Sequence, residues 1–101
     1  MSGCPISAVS RVLGRRWALE LLYLLRHHHR FCDLQSAVGG LNPTTLTRRL
    51  RELEQAGLIE RGIVSAAPVQ IEYRLSEMGR ELNPVLDKLA SWSQRWLPEE
   101  G

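Results

Sequence analysis

The chain has 101 residues, 44% of them hydrophobic and 24% charged, with a formal net charge of +2. This length suits one domain, and the composition is too apolar for a disordered chain, so we expect residues 1–101 to form a single domain. No apolar run approaches the ~18 residues of a membrane span, and the first residues lack the charged-then-apolar build of a signal peptide. Cys4 and Cys32 are too few for a disulfide framework and have no metal-binding spacing. A reducing cytoplasm, away from membranes, is therefore the expected location.

The net charge conceals an asymmetry along the chain. Residues 1–51 contain eight arginines against two acids, whereas residues 52–101 contain nine acids against five basic residues. The basic half is built from arginine, whose planar guanidinium group forms paired hydrogen bonds with phosphates and base edges. Arginines that only contact solvent would give the same count, so the function of these side chains depends on where they lie in the fold.

Three helices are predicted before the middle of the chain. Pro5 suits a first helical position, and apolar residues recur after it at helical spacing until Gly14. Residues 17–25 are apolar on nearly every side, which predicts a buried central helix. A short helix is expected over residues 32–38, with its apolar side chains facing inward.

The following segment predicts a helix-turn-helix. Gly39 and Gly40 can adopt the left-handed conformation that ends a helix, Asn42 is a good N-cap, and Pro43 fits a first turn. The helix that begins there ends at Gly57 and has one apolar stripe, formed by Leu46, Leu50 and Leu53. Helical hairpins in plain bundles share these features, so the pattern is suggestive by itself.

A hairpin and a last helix complete the predicted fold. Residues 58–64 and 69–75 are expected to be strands around a turn at 65–68, because the second alternates apolar and polar residues. Ser76 can cap the last helix, in which Pro84 should cause a kink or a short break. Its apolar stripe comprises Leu82, Val85, Leu86, Leu89, Trp92 and Trp96. The predicted fold is mainly α with a small β-hairpin wing, a winged helix-turn-helix.

The second helix of the helix-turn-helix carries the strongest functional signal. If its leucines face the core, Thr44, Arg48 and Arg51 lie opposite, with Thr45 and Thr47 on the flanks. Arginine can fork to guanine and threonine can contact a base edge, so this face suits the major groove of double-stranded DNA. Further DNA contacts are predicted at Arg15, Arg16, Arg30 and Arg61, which lie at element ends, and at Gln70 near the uncharged tip of the wing.

Short motifs occur along nearly the whole chain, among them Gly14-Arg15-Arg16-Trp17, Leu46-Thr47-Arg48-Arg49-Leu50, Gly57-Leu58-Ile59-Glu60-Arg61 and Ile71-Glu72-Tyr73-Arg74-Leu75-Ser76. In these motifs the chain resembles the HxlR-type winged-helix family of bacterial transcription regulators. The resemblance implies a homodimer, joined through its first and last helices, that acts on a palindromic operator. The predicted function is sequence-specific binding of double-stranded DNA, with repression by occupying a promoter. The apolar stripes on these helices predict an interface formed by Ile6, Val9, Leu82, Val85, Leu86, Leu89 and Trp92. Unlike Gln70 here, the family usually has a basic residue at this wing position.

Other features support weaker hypotheses. Cys4 sits at a helix start, where the helix dipole favours a thiolate, and some family members sense oxidants or electrophiles through this cysteine. The alternative is that Cys4 is a structural thiol. Regulation by an oxidant or by a small-molecule effector stays an open alternative.

His27, His28 and His29 cannot all point at one ion, so we expect no metal site and no cofactor. Catalytic motifs are lacking, so an enzyme is not predicted. The main rival function is a winged-helix protein-interaction module.

Overall fold

The computed structural model describes residues 3–97, so Met1, Ser2 and residues 98–101 lie outside the structural account. The helices are α1 (Pro5–Leu13), α2 (Ala18–Leu24), α3 (Phe31–Ala37), α4 (Pro43–Gln55), α5 (Glu77–Arg80) and α6 (Asn83–Trp96). The strands β1 (Ile59–Ala66) and β2 (Val69–Leu75) lie between α4 and α5 and form a two-stranded antiparallel sheet. The predicted winged helix-turn-helix is confirmed.

The hydrophobic core surrounds α2, as predicted for the central helix. Leucines of α2, α3 and α4 are almost fully buried in one cluster, which includes Leu21, Leu22, Leu34, Leu46, Leu50 and Leu53. The predicted burial holds for one face of α2 only, because Leu19 and Tyr23 are exposed. A domain of this size has too few neighbouring elements to enclose a helix completely.

The helix-turn-helix is formed by α3, the turn after it, and α4. Gly39 and Gly40 have φ values of 92° and 86°, the left-handed region that glycine adopts without strain. The Asn42 side chain caps α4 by accepting hydrogen bonds from the backbone N–H groups of Thr44 and Thr45. The Asn42 cap thus starts α4 at the predicted residue. The face of α4 opposite its buried leucines is exposed.

The wing differs from its prediction in length and burial. Strand β1 continues to Ala66, with an irregularity in register between Ile63 and Ser65, so the turn shortens to Ala67 and Pro68. The half-buried pattern of β2 holds only near its end, since Leu75 is buried while Val69 is 65% exposed. The hairpin projects beyond the core, and side chains near its tip therefore have no apolar surface to cover them.

The last predicted helix is two helices. Ser76 caps the short α5 by accepting a hydrogen bond from the N–H of Gly79, and α6 begins after a break with Pro84 in its first turn. The break predicted at Pro84 is confirmed, since proline fits a first turn but not a helix interior. Leu86 is only 4% exposed and belongs to the core, so this residue of the predicted dimer interface faces its own chain.

Candidate nucleic-acid interface

The exposed face of α4 gathers the threonine and arginine side chains singled out in the sequence. Thr44, Thr47, Arg48 and Arg51 line one open hollow of about 590 Å³, together with Pro43, Glu52 and Gln55. Thr45 is half-buried and does not line this hollow. The sequence-predicted face therefore exists as one continuous surface, with Thr45 at its edge.

Arg48 and Arg51 are the free cations of this surface. Among the ion pairs within residues 3–97, none involves either guanidinium group, and both side chains are exposed. Their charges and hydrogen-bond donors thus remain available for an incoming anion or base edge. The N-terminus of α4 is less available, because Asn42 already accepts from two of its backbone N–H groups.

The turn between α1 and α2 brings two predicted contacts to one flank of α4. Arg15 Nη1 donates to Glu52 Oε2 over 3.2 Å, and Arg49 Nη1 donates to Glu52 Oε1 over 3.1 Å. The Arg49 Nε donates to the backbone carbonyl of Arg16 over 2.8 Å. The Arg16 guanidinium lies over the Trp17 ring, 4.2 Å from its centroid. Sequence reasoning missed Arg49 and Glu52. Their three-residue spacing on a helix could have indicated the pair, but not its contacts with the turn.

The predicted contacts at the wing lie next to acidic side chains. Arg30 donates to Gln70 Oε1 over 3.3 Å and lies 3.9 Å from a carboxylate oxygen of Glu72. Arg61 lies 4.0 Å from a carboxylate oxygen of Glu54. These exposed pairs are weak in water, so a phosphate can replace the carboxylate at modest cost. Arg30 and Gln70, forty residues apart in the chain, form one polar group beside the start of α3.

An apolar surface lies on α1 and α6. Ile6, Val9, Val85, Leu89 and Trp92 are each about half exposed or more, and Trp96 extends the α6 stripe. Leu82 lines an apolar hollow of about 410 Å³ with residues of α1, including Val9 and Val12. Apart from Leu86, the predicted interface residues thus form or border an exposed apolar surface.

Cys4 and Cys32 are both free and exposed. Cys4 occupies the N-cap position of α1, as predicted, and its side chain forms no capping hydrogen bond. Within residues 3–97, no three histidine, cysteine or acidic side chains are grouped in a way that could hold a metal ion. No helix in this range combines the length and apolar character needed to cross a bilayer.

The fold and the exposed face of α4 define the class of protein as a winged helix-turn-helix. The HxlR-like helix-turn-helix family model matches residues 12–101, and the chain belongs to this family. It is 36% identical over 87 residues to the HTH-type transcriptional regulator YvaP of Bacillus subtilis (strain 168), covering 85% of this chain and 81% of YvaP. The protein is therefore a DNA-binding transcriptional regulator and not an enzyme.

Two solved structures illustrate the likeness. The HTH-type transcriptional regulator YtcD has a TM-score of 0.86 and 33% identity, covering 96% of this chain and all of that chain. The redox regulator HypR in its oxidized form has a TM-score of 0.80 and 28% identity, covering 91% of this chain and 96% of that chain. Both likenesses cover more than nine tenths of this chain.

Proposed function

We propose that this regulator binds double-stranded DNA sequence-specifically, as a homodimer on a palindromic operator in the bacterial cytoplasm, and represses by occupying the promoter. The observation that carries the proposal is the exposed face of α4, where Arg48 and Arg51 have no acidic partner among the described residues. A solvated helix face usually mixes acids with its arginines, and this face has none before Glu52.

The side chains have separate roles in this proposal. Arg48 and Arg51 contact base edges or position the helix in the major groove, and Thr44 and Thr47 contact base edges or thymine methyl groups. Arg15, Arg16, Arg30 and Arg61 contact phosphates, with Thr45 and Gln70 at the margins of the footprint. Phosphate contacts position the protein and base contacts specify the sequence.

The homodimer is supported by the apolar surface of α1 and α6. Trp92 is 54% exposed and Ile6 63% exposed, although both lie on apolar stripes. Exposed aromatic and aliphatic side chains in this number are typical of an association surface. A two-fold dimer presents two recognition helices, and a palindromic operator has the matching symmetry.

Selection of bound sequences from random duplex DNA at physiological salt tests this function. We expect enrichment of an inverted repeat whose half-sites are centred roughly 34–36 Å apart, about one turn of B-DNA. Recovery of no preferred sequence would contradict specific DNA binding. Stable binding of a protein through the hairpin instead would favour the interaction module.

A thiol-responsive variant of this function is favoured by Cys4. Its sulfur is exposed at the start of α1, in the proposed dimer interface, and the redox regulator HypR is among the structural neighbours. Oxidation at this position would shift α1 and change the distance between the two recognition helices. A shift of a few ångströms would weaken operator binding without altering Arg48 or Thr44, because both half-sites must be reached together.

Operator affinity before and after mild diamide or quinone treatment tests the thiol response. We expect treatment to lower the operator affinity of the wild-type protein and of Cys32→Ser. The operator affinity of Cys4→Ser should stay unchanged. Equal affinities in treated and untreated wild-type protein would make Cys4 a structural residue and leave the DNA-binding proposal intact.

A further inference from the structure

Glu52 connects two parts of the DNA-binding surface that are far apart in the chain. Its two carboxylate oxygens accept separately from Arg15, on the turn after α1, and from Arg49, on α4. Arg15 and Arg49 are 34 positions apart, so the carboxylate joins elements that the backbone does not connect directly. Glu52 also lines the open hollow that contains Thr47, Arg48 and Arg51. It therefore stands at the boundary between the recognition face and the turn.

The turn needs contacts of this kind. Trp17 has φ 77°, a left-handed conformation that is strained for a bulky residue and persists only where its surroundings hold it. The Arg49 Nε donates to the carbonyl of Arg16, directly before this residue. The same guanidinium group donates to Glu52 through its Nη1. The carboxylate thereby orients the side chain that holds the turn.

We propose that Glu52 is a positioning residue for operator binding. By joining Arg15 and Arg49, it fixes the turn, with the guanidinium groups of Arg15 and Arg16, at a set place beside the recognition face of α4. Specific binding needs phosphate contacts and base contacts to be satisfied in one register, whereas non-specific binding does not. The proposal rests on the proposed function, and it assigns Glu52 to the discrimination between operator and other DNA.

A positioning role and a purely electrostatic role of Glu52 predict different effects when its carboxylate is lost. Glu52→Gln removes one negative charge beside DNA and releases Arg15, so electrostatics alone should strengthen binding to every duplex. Positioning predicts that the ratio of operator affinity to non-specific affinity falls. The coupling that such networks carry corresponds to a fall in this ratio of roughly two- to thirtyfold.

Glu54→Gln is the matched control. It removes the same charge from the same helix, but among residues 3–97 the only ion pair of Glu54 is the 4.0 Å contact with Arg61. Arg49→Lys is a second, charge-preserving variant, because an ammonium group cannot reproduce the planar fork that contacts both Glu52 and the Arg16 carbonyl. Melting followed by circular dichroism checks the fold. We expect the melting temperature of Glu52→Gln to fall by about 5 °C or less, since partly exposed ion pairs contribute little to stability.

The measurement is fluorescence anisotropy with a duplex selected by the wild-type protein and a scrambled duplex of the same length and composition. We expect Glu52→Gln and Arg49→Lys to lower the affinity ratio, and Glu54→Gln to leave it unchanged. If Glu52→Gln and Glu54→Gln raise both affinities by equal factors, Glu52 acts only through its charge and the positioning role is overturned. If the wild-type protein itself does not discriminate between the duplexes, the proposed function fails, and this inference fails with it.

Discussion

Arg48 and Arg51 differ from Arg15, Arg30 and Arg61 in what surrounds their guanidinium groups. Arg15, Arg30 and Arg61 each lie within 4.0 Å of a carboxylate oxygen, whereas Arg48 and Arg51 have no such neighbour among residues 3–97. A guanidinium group that lacks a partner gives up only water when it binds a base edge. The base-reading role is therefore assigned to these two, and the paired arginines are left to phosphates.

Arg48→Ala should weaken operator binding by roughly 1–3 kcal/mol if the side chain forks to a base, and should relax the sequence preference at that base pair. Lys88→Ala removes the same charge from the exposed surface of α6 and should change operator affinity little. The measurement is a titration with operator and single-base variants at fixed salt. Unchanged affinity and preference in a folded Arg48→Ala protein would show that the assignment is wrong.

An ion pair between Arg26, which follows α2, and Asp87 on α6 is a second feature at the residue scale. The Arg26 guanidinium donates to both carboxylate oxygens of Asp87, over 2.6 and 3.2 Å, and lies over the Tyr23 ring. The hydrogen bond from Arg26 holds the pKa of Asp87 below its ordinary value. This pair links the terminal helix to the body of the domain by side chains alone.

The lowered pKa of Asp87 makes its contribution to stability depend on pH. Because the pKa is lower in the folded than in the unfolded protein, the stabilisation is complete above the unfolded pKa and is lost as pH falls through the folded one. Asp87→Asn should lower the melting temperature at neutral pH, and its difference from the wild type should vanish in acid. In an Arg26→Gln background, Asp87→Asn should have little effect at either pH. A difference that persists in acid would argue against the ion pair as its cause.

At the scale of elements, the wing and α4 contribute different chemistry. The wing tip has no charged side chain from Ser65 to Val69, and its polar side chains are Ser65 and the adjoining Gln70. Apolar side chains near the tip, including Ile63 and Val69, are well exposed. In the proposed DNA contact, the wing tip thus contributes through its shape. The positive charge on this side of the surface comes from Arg30 and Arg61.

Gln70→Lys should strengthen DNA binding by adding a phosphate contact at the wing. The expected result is a steeper dependence of log affinity on log salt, by about 0.9 for each added phosphate contact. Gln94→Lys gives the same change in charge on α6 and should leave the slope nearly unchanged. Equal slopes for Gln70→Lys and the wild type would place the wing away from the DNA backbone.

At the scale of the whole molecule, the chain is flatter and more extended than a compact domain. Its radius of gyration is 14.6 Å, against about 13 Å expected for a compact domain of this size, and its extents are 45 × 43 × 24 Å. Much of the outer half of α6 is exposed, including Trp92 and Trp96. In the proposed function, the second subunit covers these aromatic side chains.

Leu89→Glu should convert the proposed dimer into monomers or aggregates, because a carboxylate placed in an apolar interface loses its hydration. Gln94→Glu makes the same change in charge on the same helix, away from the apolar stripe, and should stay dimeric. Light scattering coupled to gel filtration at micromolar concentration gives the mass directly. A clean dimer of Leu89→Glu would rule out this interface.

The sequence by itself determined the elements and the recognition face, because both depend on local patterns. The spacing of Leu46, Leu50 and Leu53 fixes which side of α4 is buried, and Asn42 and Pro43 fix where the helix begins. The opposite face then follows from helix geometry alone. The break at Pro84 was predictable for the same reason, since proline acts on its own turn of backbone.

Only the tertiary structure decided which side chains meet across the chain and how far the core extends. The carboxylate of Glu52 lies between Arg15 and Arg49, although Arg15 is 37 residues away from it in the sequence. Leu86 lies in the core while Leu89 and Trp92 are exposed, and the wing leaves the core before its apolar pattern ends. Periodicity tells which residues share one face of an element. Which face is covered, and by what, depends on packing between elements that no local pattern contains.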